Sequence, residues 1–83
     1  MPYGAKVKIN GEEYFLEDVL EVPVSRDTDE VKHILVLKRD RASVDVEEID
    51  WNDVSSFEVI DNHLILQGFS SRKGDDIDVL LAA

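Results

Sequence analysis

The dipeptide Asn10-Gly11 constrains the fold of this chain more strongly than any other feature, because it lies between two segments of alternating apolar and polar residues. Both residues tolerate the positive φ angles of a type I′ turn, which joins antiparallel strands through a tight loop. Such a turn pairs Val7 with Tyr14 and places Lys8 opposite Glu13, where the charges attract. We therefore predict an N-terminal hairpin with a continuous core side. That side consists of Ala5, Val7, Ile9, Tyr14 and Leu16.

Two further extended segments are predicted after this hairpin. Residues 18–24 have strand character, and Pro23 marks an edge or a bend because it lacks a backbone donor. The segment Val31–Lys38 contains four consecutive aliphatic residues, which is typical of a strand covered on both faces. A short buried helix has the same pattern, but the shortness of the run and its alternating flanks favour a strand.

The polar residues 39–42 form a plausible short connection to the next alternating segment, Ser43 to Glu47. With a connection of that length, Leu37 faces Val44 and Leu35 faces Val46 on the core side. The outer side of the same pairing then holds Val36 opposite Asp45 and Ile34 opposite Glu47.

The alternation breaks near residues 50–55. Trp51 and Val54 are spaced as on one helical turn, Asp50 is placed to cap that turn, and Trp51 is expected to be a core residue. A second hairpin turning at Asp61-Asn62 is predicted next, and residues 77–83 form either a last strand or a mobile tail. The predicted core side of this hairpin consists of Phe57, Val59, Leu64 and Leu66.

These segments predict one small all-β domain over residues 1–83. The expected architecture is an antiparallel barrel or a strongly bent sheet of about 5–7 short strands, with one helical turn near residues 50–55. A chain of 83 residues is near the lower size limit for a domain that folds alone. Closure into a barrel would remove the exposed sheet edges that promote aggregation.

The charge and the cysteine content restrict the functional classes. The net charge of −10 disfavours direct binding to nucleic acid or anionic lipid, because phosphate binding needs clustered Lys and Arg. The absence of cysteine excludes disulfides and thiolate sites and favours a reducing cytoplasm. We also find no signal-peptide pattern and no apolar run long enough to span a membrane. The sequence thus predicts a cytoplasmic protein.

The inventory of reactive groups does not predict an enzyme. His33 and His63 are isolated, and no serine lies in a nucleophile-elbow motif. No cofactor is expected, because the glycines lack the spacing of a phosphate-binding loop. A metal site is not expected either, since the carboxylates lack the spacing and the glycine of a calcium-binding loop. The carboxylates considered were Asp45, Glu47, Asp50 and Asp53.

Two candidate binding surfaces emerge from the predicted registers. The first is a set of apolar residues at outward strand positions, where a solvated sheet would carry polar groups. It consists of Phe15, Ile34, Val36, Ile60 and Ile65. Each residue alone fits a second core face, covered by the Trp51 turn or by the C-terminal part of the chain, but the set predicts an apolar patch with an acidic rim.

The second candidate surface is acidic. Between Val44 and Asp61 the chain has seven carboxylates and no Lys or Arg. Such a field attracts basic partners, although an ordinary solvated face, or the surface charge of a halophilic protein, has the same composition. The seven residues are Asp45, Glu47, Glu48, Asp50, Asp53, Glu58 and Asp61.

The leading hypothesis is a small acidic, non-catalytic adaptor that acts by protein–protein contact, with homo-oligomerisation left open. The alternative is a phage- or mobile-element-type inhibitor that mimics nucleic acid and occupies a basic binding site on a larger protein. Ionic strength separates the two, because a carboxylate-dominated interface weakens steeply with salt and an apolar one persists.

Overall fold

The structure, a computed structural model, describes residues 4–60 and residue 77. The described residues form five strands and one 3₁₀ turn. In chain order these are β1 (Lys6–Ile9), β2 (Glu12–Pro23), β3 (Val31–Lys38), β4 (Glu47–Asp50), the 3₁₀ turn (Trp51–Asp53) and β5 (Phe57–Val59). The strands form one antiparallel sheet in the order β4-β3-β2-β1-β5. The prediction of a small, mostly-strand antiparallel protein is confirmed.

The first hairpin has the register that its turn predicts. Asn10 and Gly11 have φ angles of 52° and 83°, and Val7 pairs with Tyr14. Four residues of the predicted core side are buried, and Ala5 packs half-buried against them. The four are Val7, Ile9, Tyr14 and Leu16. Local turn chemistry therefore determines this pairing.

A β-bulge at Glu17 divides β2 into two parts. Leu16 pairs with Leu37 of β3, whereas the next paired residue, Asp18, lies opposite Val36. Because the bulge inserts one unpaired residue, the alternation of side chains changes parity. Before the bulge, even-numbered residues of β2 such as Leu16 face the core. After the bulge, odd-numbered residues such as Val19 face it.

The predicted register between β3 and β4 is wrong. Leu35 pairs with Ile49 instead of Val46, and Leu37 pairs with Glu47 instead of Val44. The connection therefore spans residues 39–46 and is twice as long as predicted. The two valines predicted to be in the core are exposed, at 91% for Val44 and 48% for Val46. The physical reason is that Ile49, which packs against the core, sets the pairing.

The 3₁₀ turn lies where the sequence predicts it. The carboxylate of Asp50 accepts a hydrogen bond of 2.9 Å from the backbone N–H of Asn52, and Trp51 and Val54 are buried. A flat sheet would hold β4 and β5 about 19 Å apart. The rings of Trp51 and Phe57, which lie at those two ends, nevertheless have centroids 5.1 Å apart. The sheet therefore curls around its core, and the residues between β4 and β5 cross the core side.

The core lies on one face of the curled sheet and beneath this crossing segment. Its buried residues are Val7, Ile9, Tyr14, Leu16, Leu35, Leu37, Trp51, Val54, Phe57, Val59 and Ile77. Within residues 4–60 and 77, no hydrogen-bonded pairing joins β4 to β5, so the sheet is open and barrel closure stays a prediction.

Only part of the predicted C-terminal half is described. Phe57 and Val59 are on the core side as predicted. Ile77 is buried and has helical backbone geometry, and the rest of the predicted strand or tail, 78–83, lies outside the described residues. The turn at Asp61-Asn62 and the residues after it, up to residue 76, are likewise outside them.

Candidate protein-binding surface

The face of the sheet opposite the core has an apolar centre. On this outer face Ile34 of β3 lies directly opposite Leu20 of β2, and Val36 follows two residues further along β3. Val22 continues the row on β2, and Phe15 lies before the bulge. We call these five residues the apolar strip. Leu20 is 37% exposed, and the other four are half-buried.

The structure brings together three of the five apolar residues that the sequence singles out. Phe15, Ile34 and Val36 belong to the apolar strip. Ile60 follows β5 and donates its backbone N–H to the carbonyl of Lys6 at 2.8 Å. Because Lys6 of β1 pairs with Phe15, its strand separates Ile60 from the strip. Ile65 lies outside the described residues.

Sequence reasoning missed Leu20 and Val22. Uninterrupted alternation from Leu16 would turn both residues towards the core, and only the bulge turns them outwards. The available signal was the pair of consecutive acidic residues Glu17-Asp18, which interrupts the alternation between Leu16 and Val19.

Charged residues surround the Phe15 end of the strip. The guanidinium carbon of Arg41 lies 4.6 Å from the centre of the Phe15 ring, within the range of cation–π attraction. Lys6 and Lys38 are the cross-strand neighbours of Phe15. The ammonium of Lys38 also lies 3.4 Å from the carboxylate of Glu17. This end of the strip is therefore more polar than its centre at Leu20 and Ile34.

The acidic residues of the base-free run are distributed over different parts of the fold. Glu48 is opposite Val36, and Asp50 is opposite Ile34, so these two carboxylates border the apolar strip on its β4 side. Glu58 is on β5, at the other end of the sheet order, opposite Lys8. The strand pairings do not bring Glu58 next to the β4 carboxylates.

The other four acidic residues have separate environments. Glu47 is on the core side of β4, since it pairs with buried Leu37. Asp45 lies in the connection before β4, and Asp53 ends the 3₁₀ turn, both with exposed side chains. Asp61 is outside the described residues. No single strand or strand pair therefore presents the whole set.

Basic residues lie near three acidic residues of the run, two in ion pairs and one as a cross-strand neighbour. The Nε of Arg39 donates to Glu47 at 3.0 Å, the ammonium of Lys32 lies 4.0 Å from the Asp50 carboxylate, and Lys8 is directly opposite Glu58. Glu48 differs, because it is exposed and its side chain forms no ion pair with another residue within 4–60 and 77. Glu48 is thus the carboxylate beside the strip with most freedom to meet a partner.

A compact cluster ties the β3–β4 connection to the first hairpin. The Arg39 guanidinium stacks 4.3 Å from the centre of the buried Tyr14 ring and also donates to Glu12 at 3.2 Å. Tyr14 donates its hydroxyl hydrogen to Glu12 at 3.0 Å. Burial, the bond to Glu12 and the nearby charge of Glu47 raise the pKa of Tyr14 above its ordinary value. Partial desolvation lowers the pKa of Arg39, but Glu12 and Glu47 outweigh it and raise the pKa overall.

Three further features of the described part of the chain bear on chemistry or ligand binding: His33, the carboxylate groups and a pocket. His33 lies 3.5 Å from Glu21, and these two are cross-strand neighbours in a simple ladder pair. No three His, Asp or Glu side chains within the described ranges are placed to hold a metal ion. A pocket of about 260 Å³ opens near the far end of β2 and β3. Its lining consists of Val24, Glu30, Val31, Lys32, His33, Trp51 and Asn52.

Comparisons with protein-family models, with curated proteins and with solved structures find no match to this chain. Among residues 4–60 and 77 there is also no helix with the length and apolar character to cross a membrane. The inference of function therefore rests on the outer face of the sheet and on the charges around it.

Proposed function

We propose that this protein is a small, non-catalytic binding module that acts by protein–protein contact through the outer face of its sheet. The observation that carries this proposal is the apolar strip, which lies on the sheet face opposite the buried core of the described residues. Antiparallel sheets with one solvated face normally alternate apolar and polar residues, so that the solvated side is polar. Here β3 has Leu35 and Leu37 on the core side and also Ile34 and Val36 on the outer side.

The residues that border the strip favour a protein as the binding partner. An apolar centre with a charged rim is the usual composition of an interaction site. Glu48 and Asp50 border one long side of the strip, while Lys32 and Lys38 lie at the two ends of its β3 row. A partner with an apolar centre and basic residues beside it would match this pattern. Such a module would function as an adaptor, and a second copy of the chain is an alternative occupant.

The alternative function, a phage- or mobile-element-type nucleic-acid mimic, has less support. A mimic needs carboxylates spaced over one continuous surface, because they replace the phosphates of a nucleic-acid strand. The described residues of the acidic run are instead divided between β4, β5 and their connections. Arg39 and Lys32 form ion pairs with two of them, and Lys8 is the cross-strand neighbour of a third.

Two further features belong to the proposal. We place the protein in the cytoplasm, because a cysteine-free chain has no need of an oxidising compartment. We also infer that the curled sheet closes into a barrel in the complete chain. Closure would leave the outer face as the principal surface available to partners.

The test is a capture experiment with matched variants. Leu20→Glu puts a charge into the centre of the strip, whereas Val31→Glu puts the same charge at a position of similar exposure, 41% against 37%, on the other face of the same sheet. Wild-type and variant proteins are immobilised, exposed to cell lysate and eluted with increasing salt. Mass spectrometry identifies what each protein retains.

The proposal requires a protein that binds wild type and Val31→Glu into high salt and is lost from Leu20→Glu. Melting curves of the free proteins must first show that both variants stay folded. Partners that leave all three proteins together at moderate salt would support the nucleic-acid mimic instead. Equal retention of a partner by all three proteins at high salt would contradict the assignment to the strip.

A further inference from the structure

The pocket near the far end of β2 and β3 lies in a corner where β3 extends past the end of β4. Ile34 and Asp50 are the last paired residues of these two strands, and residues 31–33 continue beyond them beside the 3₁₀ turn. Trp51 is the most buried residue of the lining, at 4% exposure, and it therefore lies at the inner end of the pocket. Barrel closure would add a pairing along the far edge of β4, whereas the pocket lies past the end of that strand.

The size of the pocket suits one large side chain. A cavity of about 150 Å³ accepts benzene, whereas sites for small-molecule ligands usually measure about 300–1,000 Å³. The volume of this pocket, about 260 Å³, lies between the two. Protein interfaces commonly insert an anchoring side chain into such a pocket. The pocket also adjoins the apolar strip, because Lys32 in its lining pairs with Val22 of the strip. A partner that covers the strip is therefore close enough to insert an anchor.

The charges around the pocket favour a cationic anchor. Both basic residues of the lining have a carboxylate beside them. The ammonium of Lys32 lies 4.0 Å from Asp50, and the imidazole of His33 lies 3.5 Å from Glu21. Glu30 also lines the pocket, is exposed, and forms no side-chain ion pair within residues 4–60 and 77. The unbalanced charge of the lining is therefore negative, as is the net charge of the chain, −10.

The mixed lining distinguishes arginine from other anchors. Val24 and Val31 are 53% and 41% exposed, and they offer an apolar wall to the methylene stem of a long side chain. A wholly apolar anchor would cover Glu30 and Lys32 without giving them hydrogen bonds, which costs free energy. An acidic anchor would be repelled by Glu30. The guanidinium of arginine is planar and weakly hydrated, stacks on aromatic rings and donates several hydrogen bonds, so it suits a lining of this composition.

We propose that this pocket binds an arginine side chain of the partner protein and that Glu30 pairs with its guanidinium. This inference rests on the proposed function, and it specifies the anchor that the partner inserts beside the apolar strip. Hydrogen bonds between a guanidinium and a carboxylate are charge-assisted and are stronger than neutral ones. Arginine is also among the residues that most often dominate the binding energy of an interface.

The test uses N-acetylarginine amide, which has the arginine side chain without charged termini. Trp51 is the only tryptophan of the chain, so its fluorescence reports on the pocket in the full-length protein. At constant ionic strength we expect a saturable change with a Kd of about 1–10 mM, which is ordinary for a single side chain. NMR chemical-shift changes should centre on residues 30–33 and on Trp51. The absence of a saturable change in both measurements would overturn the proposal.

Two controls separate binding in the pocket from general attraction to an acidic protein. N-acetylcitrulline amide has nearly the same shape without the charge, and it should bind about fivefold more weakly or less. Glu30→Gln should weaken binding of N-acetylarginine amide by a similar factor. Asp29→Asn, the same loss of charge at the preceding residue, which is not in the lining, should leave the Kd within about twofold. Equal binding of the two compounds, or equal effects of the two variants, would refute the proposal.

The outcome is distinguishable from that of the test of the apolar strip. Leu20→Glu should still bind N-acetylarginine amide, because Leu20 is not in the lining of the pocket. If the wild-type protein captures a partner through the strip and fails to bind this compound, only the inference about the pocket is wrong. In the capture experiment Glu30→Gln should release the partner at lower salt than Asp29→Asn does. Release of the partner at the same salt concentration from both variants would refute the role of the pocket as an anchor site.

Discussion

Two hairpins of the sheet, β1–β2 (here the first) and β3–β4 (here the second), reach their registers by different means. The β1–β2 hairpin turns at two residues with positive φ, and Asn10 also ties it to the crossing segment through a 2.6 Å bond from the backbone N–H of Ser55. The β3–β4 hairpin has an exposed connection, 39–46, whose best-defined anchor is Arg39. Backbone chemistry at the turn determines the first pairing. Burial of a side chain beyond the connection, that of Ile49, determines the second.

The largest effect is expected where the two hairpins share one core. Leu16 of the first hairpin and Leu37 of the second lie directly opposite each other, and both are fully buried. Replacing either by alanine should cost about 2–5 kcal/mol of unfolding free energy, because it leaves a cavity. Urea unfolding followed by circular dichroism measures the loss. Coupling in the double variant of about 0.5 kcal/mol or more would show the shared core, whereas strictly additive losses would mean that the hairpins are stabilised separately.

The register of the second hairpin is tested by two substitutions. Ile49→Ala should cost about 1–3 kcal/mol, because Ile49 packs half-buried against the core. Val46→Ala should change stability by about 0.5 kcal/mol or less, since its side chain is 48% exposed. The same unfolding assay compares them. A larger loss of stability for Val46→Ala than for Ile49→Ala would instead support the register in which Val46 faces Leu35.

The turn of the first hairpin should be more sensitive than the connection of the second. Asn10→Gly keeps the positive φ but removes the side-chain bonds to Ser55 and to the Asp53 carbonyl, so a loss of about 1 kcal/mol is expected. Asp40→Ala removes one exposed 2.9 Å bond to the Ala42 N–H and should cost about 0.5 kcal/mol or less. Equal losses in thermal unfolding would contradict the difference drawn between the two connections.

The smallest effect concerns the Tyr14 cluster at alkaline pH. Because the folded protein raises the pKa of Tyr14, folding favours the protonated phenol. This contribution to stability is complete below the pKa of the unfolded chain, about 10, and is lost as pH rises through the higher folded value. Tyr14→Phe should therefore show a shallower decline in unfolding free energy above about pH 10. Parallel declines in the two proteins, measured by urea unfolding at several pH values, would contradict the assignment.

Those parts of the fold that depend on local chemistry were predictable from the sequence. The pair Asn10-Gly11 implied the first register, and Asp50 marked the start of the 3₁₀ turn. The second register was not predictable, because the segment around Val44 and Val46 alternates more regularly than β4 itself. Only the core contributed by other strands shows that Ile49 is the residue to bury.

The candidate site was predictable on β3 and not on β2. The outward positions of Ile34 and Val36 follow from their place in a strand whose neighbours, Leu35 and Leu37, are buried. The outward positions of Leu20 and Val22 depend on the bulge, which has no strong sequence mark. The positions of the acidic run could not be predicted without the sheet order, because β5 joins the sheet beside β1 and far from β4.

The position of β1 between β2 and β5 has a consequence for the growing polypeptide. Val7 pairs with Val59, which is translated several seconds later at about 5–20 residues per second. During that time one side of β1 is unpaired on a ribosome-bound nascent chain, close to other nascent chains. Lys6 and Lys8 lie on that strand, and lysines on an open edge oppose intermolecular pairing. In the folded protein β1 is an interior strand of the sheet, and we expect Lys6 and Lys8 to oppose aggregation while its β5 side is still unpaired.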